Sequence, residues 1–243
     1  MSQNIYDNDA FFQGYSQMNR SVHGLDGAPE WPTLRSLLPD MSGARVLDLG
    51  CGFGWFCRWA RQHGAASVLG IDISENMLAR AARDTQDATI TYRRGDLESV
   101  TLEPDAYDLV YSSLALHYIE DLPRLMGEIR ASLKPGGSLV CSIEHPVYTA
   151  SIAAGWIQHP DGHQTWPVDH YQYEGPRTTN WLVEGVVKQH RTIGTYVNLL
   201  IRLGFTITHV QDWGLTPELL DAHPDWEEEM HRPMFLLLSA RRA

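Results

Sequence analysis

Arg45-Val46-Leu47-Asp48-Leu49-Gly50-Cys51-Gly52-Phe53-Gly54-Trp55 is the stretch whose reading decides the fold of this chain. The apolar run from Val46 to Leu49 reads as a buried strand. It runs into glycines at alternate positions, and Phe56 to Arg61 resumes with helix-compatible residues. Strand, glycine loop and helix in that order make a nucleotide cradle, because a backbone without Cβ atoms turns tightly and approaches a ligand closely. A second apolar run, Val68-Leu69-Gly70-Ile71, ends in Asp72. That acid follows the loop by about 20 positions, where such folds place a ribose-binding carboxylate. Loop and acid together point to a nucleoside ligand.

The loop is not a dinucleotide fingerprint. That fingerprint needs glycine where Trp55 stands, and its helix N-terminus faces a pyrophosphate. Asp48, just ahead of the glycines, would oppose such an anion and suits a ligand with a positive group. The arrangement resembles motif I of class I S-adenosylmethionine (SAM) dependent methyltransferases, whose cofactor carries an ammonium and a sulfonium and no phosphate.

The resemblance extends over residues 44–145. Asp72-Ile73-Ser74-Glu75-Asn76-Met77-Leu78 looks like the second motif, Arg94-Gly95-Asp96-Leu97-Glu98 like the third, Tyr107 to Tyr118 like the fourth strand with its loop, and Leu133 to Val140 like the turn into the fifth strand. The wording is similar to the type 11 small-molecule group, which includes ubiquinone and menaquinone methyltransferases. The resemblance implies SAM as cofactor, with S-adenosylhomocysteine as its product. It implies a cofactor site of Asp48, Gly50, Cys51, Gly52, Asp72, Ile73, Met77, Asp96, Leu97 and Ser112. In it Asp72 holds both ribose hydroxyls, Ile73 and Met77 pack on the adenine, Asp96 accepts from the adenine amino group, and Leu97 is the neighbouring backbone contact. A leading segment closes over SAM in this family, which assigns Tyr15 and Arg20 to the methionine carboxylate.

Composition bounds the rest. The chain has 243 residues, 43% of them hydrophobic, enough for one large domain with a packed core. A net charge of −11 argues against nucleic-acid binding, which neutralises phosphates with Lys and Arg. The start of the chain has neither the basic run nor the apolar core of a signal peptide, and no run is long enough to span a membrane. Cys51, Cys57 and Cys141 have no metal or disulfide spacing and read as reduced thiols of a cytoplasmic protein. The oligomeric state, monomer or homodimer, is not legible.

Helices are expected over 9–19, 32–38, 54–63, 75–84, 121–132 and 192–203. Strands are expected over 45–49, 67–71, 89–93, 107–112 and 137–143. The alternation predicts an α/β, Rossmann-like doubly wound sheet behind an N-terminal helical cap, residues 1–40. The family implies seven strands, mostly parallel, with an antiparallel C-terminal strand from the runs Phe205–Trp213 and Met234–Ala240. Residues 146–190, with Trp156, Trp166 and Trp181, are too long for a connection and too aromatic for a linker. They read as an insertion after the fifth strand, either a substrate lid or a structural flap.

Methyl transfer from SAM is an in-line displacement that gains mostly from positioning, so no catalytic triad is required. The place after the fourth strand, Ser112-Ser113-Leu114-Ala115, lacks the motif of amino-methylating DNA enzymes. The place after the fifth, Glu144-His145-Pro146, lacks the Asp-Asn pair of metal-dependent catechol enzymes. His117 and His145 are the candidate bases, each with a hydrogen-bonded structural role as the alternative. Of the neighbours Glu144 and His145 only one enters the cleft, and the near-neutral pKa of histidine favours His145. His159, His163, His170 and His190 match no compact ligand motif, so no metal is expected. The expected function is methylation of a small organic acceptor with an aromatic or apolar part. An RNA or protein methyltransferase and a non-catalytic SAM-binding protein are the alternatives.

Overall fold

In the computed structural model, which describes residues 3–243, strand β1 (Arg45–Leu49) is buried on both faces. Val46 enters one apolar cluster, while Leu47 and Leu49 enter another on the opposite side. This is what a period of two does to a central strand of a doubly wound sheet. Strands β2 (Ser67–Asp72), β3 (Ile90–Arg94), β4 (Tyr107–Ser113) and β5 (Leu133–Glu144) join β1 in parallel, in the order 3-2-1-4-5. β5 starts earlier than its apolar run, because Leu133 already pairs with Tyr107 ahead of a register shift.

The N-terminal cap holds α1 (Asp9–Ser16), α2 (Asn19–Val22) and α3 (Trp31–Ser36). The helix expected over 9–19 ends at Ser16, and a second, short helix starts at Asn19 after Met18 takes an extended conformation. Asn8 caps α1, its side chain accepting the Phe11 N–H at 3.0 Å. Met1 and Ser2 of the expected cap lie outside the described residues. Helix α4 (Trp55–Gln62) shares one face of the sheet with α3, through Phe56, Cys57 and Ala60 against Trp31 and Leu34. Helices α5 (Glu75–Arg83) and α6 (Leu122–Ser132) follow β2 and β4, and α6 lies on the opposite face through Leu122, Leu125 and Ile129.

After β5 come α7 (Pro146–Thr149), a short hairpin of β6 (Ile157–Gln158) and β7 (Gln164–Thr165), and a longer hairpin of β8 (Gly175–Trp181) and β9 (Val183–His190). Helix α8 (Ile193–Arg202), strand β10 (Phe205–Trp213), helix α9 (Pro217–Ala222) and strand β11 (Phe235–Arg242) complete the order. β11 lies antiparallel between β5 and β10, giving the seven-stranded sheet that the resemblance implies.

The tryptophans of the insertion divide into two groups. Trp156 and Trp166, with Tyr148, surround the Arg232 guanidinium at 5.1, 4.1 and 4.4 Å, fastening the insertion to the segment before β11. Trp181 turns the other way, onto Phe11 and Tyr15 of α1. Among the described residues no helix is long and apolar enough to cross a membrane.

Candidate active site

The glycine loop is held by its own backbone. Gly50 has φ +76°, and a Cβ there would stand 2.4 Å from the Ala115 Cβ. Only glycine tolerates both that conformation and that approach. The Gly50 and Cys51 N–H groups donate to the Ile71 carbonyl at 2.8 and 3.1 Å, clamping the loop onto β2. Leu114, with φ 54°, makes the bend after β4 that brings Ala115 against the loop.

Two carboxylates flank the loop. Asp72 accepts the Gly52 N–H on one oxygen and the Ser74 N–H on the other, both at 2.9 Å. Burial raises its pKa, and these N–H groups work against the rise. Asp48 shares the Val46 face of β1, under α4, where the Cys57 thiol donates to it at 3.3 Å. Burial pushes Asp48 up to about 7, moderated by that bond.

The cap closes on this loop. Asp7 accepts from the Ser74 hydroxyl at 2.5 Å and from the Asn76 N–H at 3.0 Å, so it caps the start of α5 from outside. Arg80 lies 3.8 Å over the Phe53 ring and donates to the Ser21 carbonyl. Phe12 and Tyr15 also meet Phe53. Tyr15 and Arg20 therefore line one cleft with Asp48, Gly50, Cys51 and Gly52. Arg20 contacts both oxygens of the buried Glu30 at 3.1 Å, a partner the sequence reading missed. Burial disfavours the Arg20 charge, but Glu30 and Tyr15 outweigh it and raise the pKa.

The cleft fits SAM. Two acidic side chains stand at the glycine loop, and the cation lining the cleft, Arg20, is already neutralised by Glu30. A pyrophosphate would meet the Asp48 and Asp72 carboxylates there, whereas the cationic end of SAM suits Asp48 and leaves Asp72 for the ribose hydroxyls. At Gly52, with φ +50°, the space a side chain would take is open.

The other expected cofactor residues are placed less uniformly. Ile73 and Met77 bracket the capped start of α5, and Met77 is buried. Asp96 accepts the Glu98 N–H at 2.9 Å, and Leu97 sits in the core. Ser112 is fully buried and donates its hydroxyl to the Leu49 carbonyl at 2.8 Å, which ties β4 to β1.

At the ends of β4 and β5 the two histidines are both buried and hydrogen-bonded. His145 is buried and caps α7: its Nδ1 accepts the Val147 N–H at 3.0 Å, so Nε2 carries the hydrogen and donates to Asp212 at 2.8 Å. Both ring nitrogens are engaged, and a base role would break one of these bonds. These bonds match the structural alternative for His145. Its neighbour Glu144 instead turns toward Lys188 of β9, with Nζ 2.5 Å from the carboxylate. His117 accepts the Glu144 N–H on Nδ1 at 3.3 Å. Burial lowers its pKa to about 4, so it is neutral at pH 7.

Around this pair stand Tyr118, whose hydroxyl is 3.2 Å from that of Tyr6, and Trp181, whose ring lies 4.8 Å from the Lys188 ammonium. Tyr6 packs edge-on against Tyr15 and Tyr118, with ring centroids 5.3 and 6.0 Å away, and its burial raises its pKa. His190, the buried last residue of β9, bonds Thr149 and the Tyr171 carbonyl. Among the described residues no group of three or more His, Cys, Asp or Glu side chains is arranged to hold a metal ion.

Comparison with known proteins agrees with this geometry. A family model described as a methyltransferase domain matches residues 47–141. A solved SAM-dependent methyltransferase from Mesorhizobium loti is 56% identical, covers 90% of this chain and 100% of its own, and superposes with a TM-score of 0.87. A putative SAM-dependent methyltransferase from Listeria monocytogenes is 44% identical over 89% of this chain and 99% of its own, with a TM-score of 0.80. A malonyl-[acyl-carrier protein] O-methyltransferase of Pectobacterium atrosepticum is 37% identical over 131 residues, 54% of this chain and 50% of that relative. The chain thus spans about half the length of that curated relative. With full-length similarity to solved enzymes and a loop built for a cationic nucleoside, the chain belongs to the SAM-dependent methyltransferases.

Proposed function

We propose that this enzyme methylates a small organic acceptor with an aromatic or apolar part, in the cytoplasm, and that its acceptor site lies between the N-terminal cap and the β8–β9 hairpin. The observation that carries this reading is the roof over the C-terminal edge of the sheet. Phe11 and Tyr15 meet Trp181 at 5.4 and 6.2 Å, and Gln3 bonds the hairpin backbone at Gly185 and Val187, at 2.8 and 2.9 Å. A roof closed by two segments admits a compact molecule more readily than a polymer, and pockets for such ligands are mostly apolar with few polar anchors. The overall charge of −11 also favours a small acceptor over RNA.

Bound SAM supplies a methyl group already activated by the sulfonium, so the protein's task is placement. Asp72, held rigid by two backbone N–H groups, takes the ribose hydroxyls. Asp48 supplies negative charge at the loop; Tyr15 and Arg20 line the same cleft and would meet the methionine end, Arg20 while paired with Glu30. The aromatic roof excludes water and orients the acceptor. On this reading residues 146–190 act as a substrate lid, with the β8–β9 hairpin as the part that meets the acceptor.

A screen of metabolites for SAM-dependent methylation, with mass detection of the product, tests the reading. We expect one aromatic or apolar small molecule to gain a methyl group, with the rate unchanged by a chelator. Methylation of RNA or protein fractions alone would contradict it.

A further inference from the structure

We propose that Glu144 and Lys188 select the methyl acceptor, and that they favour one presenting an uncharged hydroxyl or amine on an apolar ring; this rests on the small-acceptor reading above. The two side chains are 16% and 4% exposed, a buried pair at the end of β5 and on β9. Lys188 is already answered twice, by one Glu144 oxygen and by the face of Trp181. Glu144 is not. Its Oε2 is buried and has no hydrogen-bond partner. A buried acceptor atom without a donor carries a desolvation penalty that an incoming O–H or N–H removes.

The site therefore offers a lone pair rather than a cation. An anionic group would be repelled by the Glu144 carboxylate, which at 16% exposure is little screened by water. His117, beneath Glu144 and neutral at pH 7, adds no positive charge to relieve that. Tyr118 and Trp181 supply flat apolar walls on either side of the Lys188 ammonium, at 6.0 and 4.8 Å. Tyr6, bonded to Tyr118, continues this wall toward Tyr15. A site whose buried polar atom must find a donor discriminates by chemistry more strongly than by size.

Three probes of one shape separate the possibilities: 2-naphthol, 2-naphthylamine and 2-naphthoate. Each is titrated by calorimetry at pH 7.5 into full-length protein saturated with S-adenosylhomocysteine. Wild type should bind the naphthol and the amine about tenfold more tightly than the carboxylate. Glu144→Gln removes the anion and releases the Lys188 charge, so the order should reverse, with naphthoate the tightest. Should that variant lose S-adenosylhomocysteine binding through misfolding, the charge-neutral double variant Glu144→Gln with Lys188→Gln carries the test, and should bind all three alike. Equal binding of the three probes by wild type, or an unchanged order in a well-folded Glu144→Gln, would overturn the selection role and leave the small-acceptor reading standing. No binding of any probe to the loaded wild type would remove both.

Discussion

The two sides of the cleft are built by different means. The donor side is made of contiguous chain, Asp48 to Gly54 and Asp72 to Met77, and its key bonds are backbone N–H groups donating to a carboxylate or a carbonyl. The proposed acceptor side is assembled from Tyr6, Tyr118, Glu144, Trp181 and Lys188, each on a different element or turn, joined through side chains. A backbone-built site needs glycines and acids at set spacings, which any chain using it must repeat. A side-chain site needs only that distant positions meet, so it is free to change with the acceptor.

That contrast can be broken at several points. The largest effect concerns stability. Lys188→Met strands the Glu144 carboxylate in the interior, which should cost about 3 kcal/mol in urea unfolding. The exposed Arg45–Glu103 pair, 44% and 62% accessible, should yield less than about 1 kcal/mol when Glu103 becomes Gln. Equal small losses would mean that the Lys188 pair is solvated and that the acceptor wall is not dry.

Next comes the pH dependence of the donor side. Asp48 titrates near 7 because burial favours its protonated form. Below that pH it is neutral and no longer answers the cationic cofactor. SAM affinity should therefore fall as pH drops from 8 to 6, approaching about tenfold per unit below the Asp48 pKa. A flat calorimetric profile would remove Asp48 from cofactor binding. The smallest effect is optical. Trp181 borders the cleft, whereas Trp156 and Trp166 enclose Arg232, so Trp181→Phe should abolish most of the fluorescence change on ligand binding and Trp156→Phe should leave it. The reverse pattern would place the mobile part of the insertion at Arg232.

The same contrast explains what was legible in the sequence. Every strand from β1 to β5 carries a continuous apolar run or a motif with set spacing, and those runs placed the sheet and the glycine loop. The β8–β9 hairpin was not legible, because the buried positions of β9 are Val186, Lys188 and His190. Two of its three inward residues are polar, so no apolar alternation marks the strand, and the ion pair that justifies burying Lys188 comes from Glu144, far away in the chain. Glu30 escaped for a similar reason, since its only signal is Arg20 in another helix. At Glu144-His145 alternation separates the two side chains, but what each of them meets, Lys188 for Glu144 and Asp212 with Val147 for His145, is encoded by no local pattern.

Calorimetry of S-adenosylhomocysteine on wild type, Asp72→Ala and Glu144→Gln tests the division of labour most directly. The account predicts that Asp72→Ala weakens binding by about a hundredfold, through loss of charge-assisted hydrogen bonds to the ribose, while Glu144→Gln stays within about threefold of wild type. Wild-type affinity in folded Asp72→Ala, or an equal loss in both variants, would contradict it.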